Sequence, residues 1–358
     1  MRPRPLPDRY VRPVARDREV TLLDGNEGAR PDRALREALA HEIVPSDAAR
    51  FSAIYRDYPS REPLQRDLAR HFGIEPEGVA VTAGADGAID RIFRAFLSAG
   101  DEVLTVLPTF EMFPRFAALA GASLCGVPRD GAFPTSDLIA AAGPRTRIVL
   151  VVSPNNPSGE VATAEDVETL ARALPEVLVL LDHVYVEYAQ DDLTQLGLRW
   201  PNVVILRTFS KARGLAGCRV GYALGSEVVV AAIEVAGDPY PVSGPSLAAA
   251  RVSLAEGEAR LSRHVAQVRR HRARLLERFA AWNVSCPASQ ANFVLPRFDD
   301  GGRDRVFEDL LERGLLVRRF ADRPELQSAL RITVPEDEAT FDRLCSALGE
   351  ALGKEARR

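Results

Sequence analysis

The chain has 358 residues, of which 46% are hydrophobic and 27% charged, with a formal net charge of -4 at pH 7. This length can bury a large core and accommodate two domains. The slightly acidic balance gives no electrostatic reason to expect nucleic acid or an anionic membrane as a partner. The N-terminus lacks the apolar run of a signal peptide, and no stretch approaches the roughly 18 apolar residues of a membrane span, so we expect a cytoplasmic protein.

The four cysteines lie far apart in the sequence, as Cys125, Cys218, Cys286 and Cys345. They form no C-x-x-C pair, and no histidine stands at the spacing of a shared metal site. We therefore expect buried free thiols in a reducing compartment and no bound metal ion.

Short apolar runs alternate with segments of helical periodicity between residues 79 and 224. Helical spacing is clearest at 88–97 and 164–174. The alternation predicts an α/β fold in which a mostly parallel sheet is flanked by helices, within a large domain of residues 46–245. The predicted strands are 79–82, 102–106, 123–127, 148–152, 177–181, 203–206 and 220–224.

The pattern changes after residue 243. A charged amphipathic stretch at 247–281 predicts one long helix. We predict that it leads from the sheet into a smaller α+β domain, made of residues 1–45 and 246–358. The predicted elements of that domain are strands at 292–295, 315–318 and 330–334 and helices at 303–313 and 336–352.

Polar residues that directly follow the predicted strands are the first candidates for a binding site, because ligands of open α/β sheets gather at the carboxyl ends of the strands. After 79–82, the small residues Gly84, Ala85 and Asp86 open a helix. Backbone N–H groups and the helix dipole at such a turn can face a phosphate. A simple packing turn explains the same composition.

Two further strand ends carry side chains of specific chemistry. Asn156 follows 148–152 between prolines, which is typical either of a rigid loop that presents an amide or of a plain turn. Asp182 closes an aliphatic run, and a carboxylate is costly to bury there unless it meets a cation. Tyr185 follows it. His183 points to the opposite face of the strand from Asp182, which indicates a structural role.

Lys211 and Lys354 are the only lysines among 46 basic residues. Arginine can replace lysine as a surface charge but not as an amine that attacks a carbonyl. Lys354 lies in the polar tail, and a codon bias towards arginine is enough to explain a single remaining lysine there without a functional role. Lys211 stands beside Thr208 and Ser210, with Arg219 eight residues further on, and these three side chains suit a phosphate dianion.

A phosphate cradle, a buried carboxylate, an amide with a phenol, and a reactive lysine together describe a site for pyridoxal 5′-phosphate (PLP). In this cofactor the ring nitrogen must stay protonated to act as an electron sink, which a carboxylate enforces. The combination of these groups indicates the cofactor far more specifically than any one of them does.

The chain resembles, over nearly its whole length, the fold-type I aminotransferases and within them the histidinol-phosphate aminotransferase family. The segment 156–159 is similar to the family's Asn-Pro-Thr-Gly motif, and Asp182 with Tyr185 to its Asp-x-x-Tyr motif. The segment 208–221 is similar to its Schiff-base lysine block. The resemblance implies a fold-type I PLP-dependent transferase whose catalytic residue is Lys211.

The same resemblance implies how the cofactor is held. It implies that Asp182 pairs with the pyridine nitrogen, that Asn156 and Tyr185 hydrogen-bond the ring O3′, and that Phe110 stacks on the ring. Tyr58 looks like the tyrosine that reaches the cofactor phosphate of the neighbouring subunit, so a homodimer with shared active sites is expected. The residues implied around the phosphate are Gly84, Ala85, Asp86, Thr208, Ser210 and Arg219.

The resemblance also implies a substrate site. Arg331 matches the arginine that binds the carboxylate of glutamate or 2-oxoglutarate, and Arg318 matches a second arginine for a substrate anion. The implied reaction transfers the amino group of histidinol phosphate to 2-oxoglutarate, in histidine biosynthesis. Glu27 either touches the substrate imidazole or solvates a loop. The remaining implied substrate residues are Tyr10, Asn26 and Tyr240.

Two departures from the family leave the substrate open. Gly28 stands where the family has asparagine and Pro335 where it has glycine, and both are expected near the substrate entrance. The alternatives are a PLP-dependent decarboxylase or β-lyase related to threonine-phosphate decarboxylase, and an aminotransferase for an aromatic or specialised-pathway amine. A PLP-sensing regulator is disfavoured because the N-terminal arm is too short for a helix-turn-helix.

Overall fold

The structure is a computed structural model that describes residues 20–129, 131–299, 301–320 and 323–354, so Tyr10 lies outside the described residues. The strands are β1 (Thr21–Leu23), β2 (Val79–Thr82), β3 (Glu102–Leu107), β4 (Ser123–Pro128), β5 (Thr146–Val152), β6 (Leu178–Asp182), β7 (Val203–Thr208), β8 (Gly221–Leu224), β9 (Phe293–Val294), β10 (Leu315–Arg319) and β11 (Leu330–Thr333). The α-helices are α1 (Arg33–Ile43), α2 (Ala48–Tyr55), α3 (Glu62–Phe72), α4 (Gly84–Phe96), α5 (Met112–Ala120), α6 (Thr135–Ala141), α7 (Ala164–Ala173), α8 (Thr194–Gly197), α9 (Glu227–Val235), α10 (Gly244–Glu256), α11 (Glu258–Ala281), α12 (Gly302–Glu312) and α13 (Glu338–Ala351).

The large sheet has seven strands in the order β2-β8-β7-β6-β5-β3-β4. The predicted α/β architecture with a mostly parallel sheet is confirmed. The pairs from β7 through β4 are all parallel. The exception is β8, which runs antiparallel to both of its neighbours, β7 and β2. The connection between β7 and β8, residues 209–220, contains no α-helix, whereas a parallel return usually crosses over through one.

The central strands are aliphatic throughout because both faces of the sheet are covered. Along β5, Val149 and Val151 belong to one hydrophobic cluster, and Ile148 and Leu150 belong to the cluster on the other face. All four side chains are fully buried. This two-sided burial explains why the strands read as continuous apolar runs in the sequence.

A second sheet has the order β1-β10-β11-β9 and its own core. Strand β1 pairs parallel with β10 and was not among the predicted strands. Three residues carry too little periodicity to be recognised as a strand. Their position matters because β1 delivers residues 24–27 to the gap between the two sheets.

The predicted single helix over 247–281 is wrong: the structure has two helices, α10 and α11, separated at Gly257. Gly257 ends the first helix and begins the second. A β-carbon at this position would lie 2.4 Å from the carbonyl oxygen of Ser253, so the break depends on glycine. Among the described helices, none is long and apolar enough to cross a membrane.

The cysteines are free thiols, but the expectation that all four are buried is wrong. Only Cys345 is buried, whereas Cys125, Cys218 and Cys286 are half-buried. Burial raises the pKa of Cys345 to about 11 and that of Cys286 to about 12. Thiols with such raised pKa values are poor nucleophiles at neutral pH.

Candidate active site

A cavity of about 630 Å³ lies between the carboxyl ends of the large-sheet strands and the second sheet. Asp182 and Thr208 are the last residues of β6 and β7, and Asn156 and Phe110 follow β5 and β3 within a few residues. Parallel strands therefore deliver their polar ends to one place. The predicted site residues that line this cavity are Asn26, Glu27, Ala85, Asp86, Phe110, Asn156, Asp182, Tyr185, Thr208, Ser210, Lys211, Arg219, Arg318 and Arg331.

The Lys211 side chain lines the cavity and is held there by two contacts. Its Nζ donates a hydrogen bond to the carbonyl oxygen of Gly25 at 3.1 Å and lies 5.4 Å from the ring centroid of Tyr185. The loop after β1 is pressed against the Lys211 backbone, because a β-carbon on Gly28 would lie 1.6 Å from the Lys211 carbonyl oxygen. Glycine at position 28 is thus required by this close approach.

Asp182 is a buried carboxyl group that lacks a full counter-charge. Its Oδ1 accepts a hydrogen bond from the backbone N–H of Val184 at 3.2 Å. Burial, with a smaller effect of the charge of Asp86, raises the pKa of Asp182 to about 7, although the Val184 hydrogen bond and the charge of Lys211 act in the opposite direction. A cation placed against this carboxyl group would lower its pKa and be bound by it.

One end of the cavity is lined by hydrogen-bond donors. The helix α4 begins at Gly84, and its N-cap residue Ala83 supplies no side-chain cap, so the first N–H groups of the helix are available to a ligand. Ser210 is buried, and its hydroxyl has no hydrogen-bond partner among the described residues. Thr208 is occupied, since its hydroxyl accepts a hydrogen bond from the Ser210 backbone N–H at 3.1 Å.

The shape of this end depends on close backbone contacts. A β-carbon on Gly221 would lie 2.4 Å from the carbonyl carbon of Gly84, and one on Gly84 would lie 2.8 Å from Nη2 of Arg219. Arg219 adopts the left-handed conformation, with φ of 52°, and its Nη2 lies 3.2 Å from a carboxylate oxygen of Asp86. The donors and the guanidinium are therefore held around a space that suits an anion.

These groups fit PLP. The unpartnered Ser210 hydroxyl, the uncapped helix and Arg219 suit its phosphate, and the buried Asp182 carboxyl group suits its protonated ring nitrogen. Asn156 accepts from Arg331 through Oδ1 at 2.7 Å, which leaves its amide N–H groups as donors for a ring oxygen.

Asn26 joins the two sheets across the cavity. Its amide Nδ2 donates to the phenol oxygen of Tyr185 at 3.1 Å, and its Oδ1 accepts from the Thr333 hydroxyl of β11 at 2.9 Å. Its backbone is left-handed, with φ of 56°, a conformation that asparagine tolerates better than most residues. Asn26 thereby fixes the position of the Tyr185 phenol.

The two arginines of the second sheet have different partners. Arg331 is buried and donates to Asn156 and to the backbone carbonyl of Asp24, and burial lowers its pKa. Nη2 of Arg318 lies 2.8 and 2.9 Å from the two carboxylate oxygens of Glu111. Among the described residues, no carboxylate is bonded to Arg331, whereas Arg318 is paired with Glu111.

Several predicted residues lie elsewhere. Tyr58 and Tyr240 stack on each other with ring centroids 4.5 Å apart, and they do not line this cavity. Gly84 is not among the residues that line the cavity, although it begins the helix whose next residues, Ala85 and Asp86, do. Gly28 and Pro335, expected at the substrate entrance, line a neighbouring cavity of about 950 Å³.

His183 is part of the core. Its Nδ1 donates to the carbonyl oxygen of Ser153, and its Nε2 accepts from the Leu193 backbone N–H at 3.2 Å. Burial lowers the pKa of His183 to about 4, so the ring is neutral near pH 7. Both nitrogens are used, which leaves no role in the cavity.

Two acidic residues of the cavity were not predicted. Glu111 directly follows Phe110, and Asp24 precedes Asn26 by two residues. The buried Oδ1 of Asp24 has no hydrogen-bond partner among the described residues. Adjacency to predicted site residues was the only signal in the sequence, and it does not show which arginine an acid will meet.

Comparison with known proteins places the fold and the cavity in a family. Residues 21–348 match the family described as aminotransferase class I and II. The histidinol-phosphate aminotransferase of Roseiflexus castenholzii is 38% identical over 355 residues, which cover 96% of this chain and 92% of that protein. The protein of the same name from Dehalococcoides mccartyi strain BAV1 is 32% identical over 348 residues, 94% of this chain and 92% of that protein.

A solved structure agrees with the sequence relatives. The crystal structure of histidinol-phosphate aminotransferase from Sinorhizobium meliloti in complex with pyridoxal-5′-phosphate has a TM-score of 0.82 and 29% identity. The match covers 93% of this chain and 91% of that chain. This chain belongs to the class I and II aminotransferase family, and it is a PLP-dependent transaminase of fold type I.

Proposed function

We propose that this aminotransferase transfers the amino group of histidinol phosphate to 2-oxoglutarate, giving imidazole acetol phosphate and glutamate in cytoplasmic histidine biosynthesis. The observation that carries the proposal is the pair of arginines, Arg318 and Arg331, that face the cavity beside Lys211. Histidinol phosphate carries a phosphate, and 2-oxoglutarate carries two carboxylates. Guanidinium groups bind both kinds of anion. The names of the sequence relatives support the same substrate.

The cofactor end of the cavity supports the chemistry of amino transfer. When bound, PLP supplies an electron-poor ring that accepts the electrons of a broken bond at the amino carbon. Asp182 would hold the proton on the ring nitrogen, and Phe110 would cover one face of the ring. Asn156 and Tyr185 would donate to the ring oxygen, while the α4 N-terminus, Ser210, Thr208 and Arg219 would bind the phosphate.

Lys211 would hold the cofactor covalently and then act as the general base. Its Nζ is hydrogen-bonded to the Gly25 carbonyl and lies near the Tyr185 ring, so the amine is held inside the cavity rather than in solvent. Once the substrate has displaced it, the amine can take the proton from the substrate α-carbon and deliver it to C4′ of the cofactor.

The substrate end supports the binding of two anions. Arg331 is buried, and its other bonds go to an amide oxygen and a backbone carbonyl, so an incoming carboxylate would be its first bonded anion. Asn26 and Glu27 line the same end. The second carboxylate of 2-oxoglutarate would reach Arg318. The phosphate of histidinol phosphate, which is the only anionic group of that substrate, would lie within reach of both arginines, since they are cross-strand partners.

We propose a homodimer in which each subunit completes the site of the other. The stacked pair of Tyr58 and Tyr240 supports this, because the Tyr58 side chain is 80% exposed and yet has a fixed aromatic partner. A groove of about 850 Å³ beside them, lined by α2, α3 and α10, would receive the second copy. Sedimentation of the purified protein tests the stoichiometry, and a monomer at micromolar concentration would contradict this part of the proposal.

The substrate is tested by single-turnover measurements on the purified holoenzyme. The visible absorption of the bound cofactor is followed after mixing with histidinol phosphate, with glutamate, and with aromatic amino acids. We expect histidinol phosphate and glutamate to convert the cofactor to its amine form, and 2-oxoglutarate to reverse the change. Rapid conversion by another amine with no response to histidinol phosphate would refute the substrate assignment.

Two variants make the measurement specific to the amine. Lys211→Arg keeps the positive charge but removes the nucleophile, and we expect conversion to slow by about a thousandfold or more. Lys354→Arg is the matched control, since it makes the same change at the only other lysine. Release of carbon dioxide without conversion to the amine form would favour decarboxylation over transamination.

A further inference from the structure

Arg318 and Arg331 are directly opposite each other in the second sheet. They are register partners in the antiparallel pair of β10 and β11, so their side chains start from the same face. Like charges at directly opposite positions destabilise a sheet. The two guanidinium groups therefore need negative charge nearby in the absence of substrate, and they obtain it unequally.

Glu111 is hydrogen-bonded to Arg318, whereas it acts on Arg331 only through the longer-range effect of its charge. Nη2 of Arg318 lies 2.8 and 2.9 Å from the two oxygens of the Glu111 carboxylate. The bonded partners of Arg331 are the neutral Oδ1 of Asn156 and a backbone carbonyl. The Arg318 side chain is 11% exposed and that of Glu111 28%, so this pair is largely desolvated and lies in the cavity wall.

We propose that Glu111 is a specificity-determining residue, an internal counter-ion that the distal anion of a substrate must displace from Arg318. This inference rests on the proposed role of Arg318 as the second anion site. A substrate with one carboxylate uses Arg331 and leaves the Arg318–Glu111 pair intact. A substrate with two anions gains the bond to Arg318 but loses the existing ion pair, so Glu111 lowers the affinity for dianions selectively.

The same arrangement suits an enzyme that takes two different anions in turn. A permanently open arginine would hold the first product as tightly as the next substrate. A resident carboxylate restores the paired state of Arg318 each time a distal anion leaves, which favours release. Glu111 thereby weakens the binding of dianions and speeds their release, which favours turnover.

The inference is tested with unreactive ligands on the PLP-loaded enzyme. The dissociation constants of succinate, a dicarboxylate, and of propionate, its monocarboxylate counterpart, are measured by calorimetry for the natural protein and for Glu111→Gln. Glutamine keeps the size of the side chain and removes the charge. We expect succinate to bind about tenfold more tightly to the variant and propionate to bind unchanged.

Glu308→Gln is the matched control. It makes the same substitution and the same change in net charge, beside Arg319 on the same strand, but on the exposed side at 3.7 Å. We expect no change in either dissociation constant. In an Arg318→Gln background, Glu111→Gln should no longer alter the ratio of the two constants, because the pair is already absent.

Three results would overturn the inference. Weaker binding of succinate to Glu111→Gln would mean that Glu111 holds Arg318 in place for the substrate. An equal gain for succinate and propionate would mean a general charge effect, and no change would mean that the pair is not displaced. Because neither ligand reacts, rejection of histidinol phosphate as a donor would refute the substrate assignment and leave this result standing.

Discussion

The two ends of the active-site cavity differ in how completely their polar groups are satisfied. At the cofactor end, the Ser210 hydroxyl has no partner among the described residues and the buried Asp182 carboxyl has a raised pKa. At the substrate end, Arg318 is paired with Glu111, and Asn26 is bonded to Tyr185 and Thr333. The substrate end also keeps buried atoms without a partner among the described residues, Oδ1 of Asp24 and Nε of Arg331, so the difference lies in Arg318, whose charge is already paired before a ligand binds.

The difference between the two ends predicts that substitutions at the cofactor end cause the largest loss of activity. Asp182→Asn keeps the shape of the side chain but cannot hold a proton on a ring nitrogen, so we expect kcat to fall by about a hundredfold to a thousandfold. Steady-state rates with saturating substrates check this. Asp191→Asn makes the same substitution at an exposed position and is the control, which should leave kcat unchanged. A normal kcat in Asp182→Asn would place the electron sink elsewhere.

The raised pKa of Asp182 predicts a pH dependence of stability in the cofactor-free protein. The group holds its proton up to about pH 7 when folded but only up to about 3.8 when unfolded. Its contribution is therefore fully present below pH 4 and is lost as the pH rises through 7, by about 4 kcal/mol in total. Denaturant unfolding at pH 5 and pH 8 should show a smaller loss in Asp182→Asn than in the natural protein. Equal losses would contradict the raised pKa.

Close backbone contacts at the phosphate end predict a strong response to a single methyl group. Gly221→Ala would place a β-carbon 2.4 Å from Gly84, which must shift the start of α4. We expect a loss of about 1–3 kcal/mol in the free energy of unfolding and weaker PLP binding. Gly143→Ala is the control, because a β-carbon there meets nothing within 4 Å. Equal stability of both variants would refute the contact.

The smallest of these effects is expected at the residue that joins the two ends. Asn26→Ala removes the hydrogen bonds to Tyr185 and Thr333, and we expect kcat/KM to fall about tenfold with PLP binding little changed. Asn283→Ala controls for backbone conformation, since Asn283 has the same φ of 56° at a remote position. A fall in PLP affinity as large as that in kcat/KM would assign Asn26 to the cofactor end instead.

Much of the large sheet could be predicted from the sequence because its strands are buried on both faces and read as aliphatic runs. The bounds predicted for β2 are those observed, and β6 is displaced by one residue. The small sheet was harder. β1 has three residues and owes its existence to pairing with β10, which lies almost 300 residues away in the chain. No local pattern reports such a pairing.

The residues of the cavity also divide into those that local sequence patterns identify and those whose partners depend on distant segments. Lys211, Asp182 and Asn156 could be selected because each follows or closes an apolar run and has a side chain of specific chemistry there, and Arg219 because it stands eight residues after Lys211. Glu111 could not be assigned a partner, because its contact with Arg318 joins residues 207 positions apart. The place of Gly28 and Pro335 near the substrate entrance stays a prediction, since they line a neighbouring cavity that shares Glu27 with the active-site cavity.

The sequence by itself determined the chemistry of this protein, because a lysine, a carboxylate and phosphate donors at successive strand ends suit few cofactors other than PLP. Tertiary structure alone decided the antiparallel direction of β8, the break at Gly257 and the pairing of Glu111 with Arg318. Local residue patterns report burial and chemical type. Which charges meet depends on how distant segments pack, and packing sets the free energy of each ion pair.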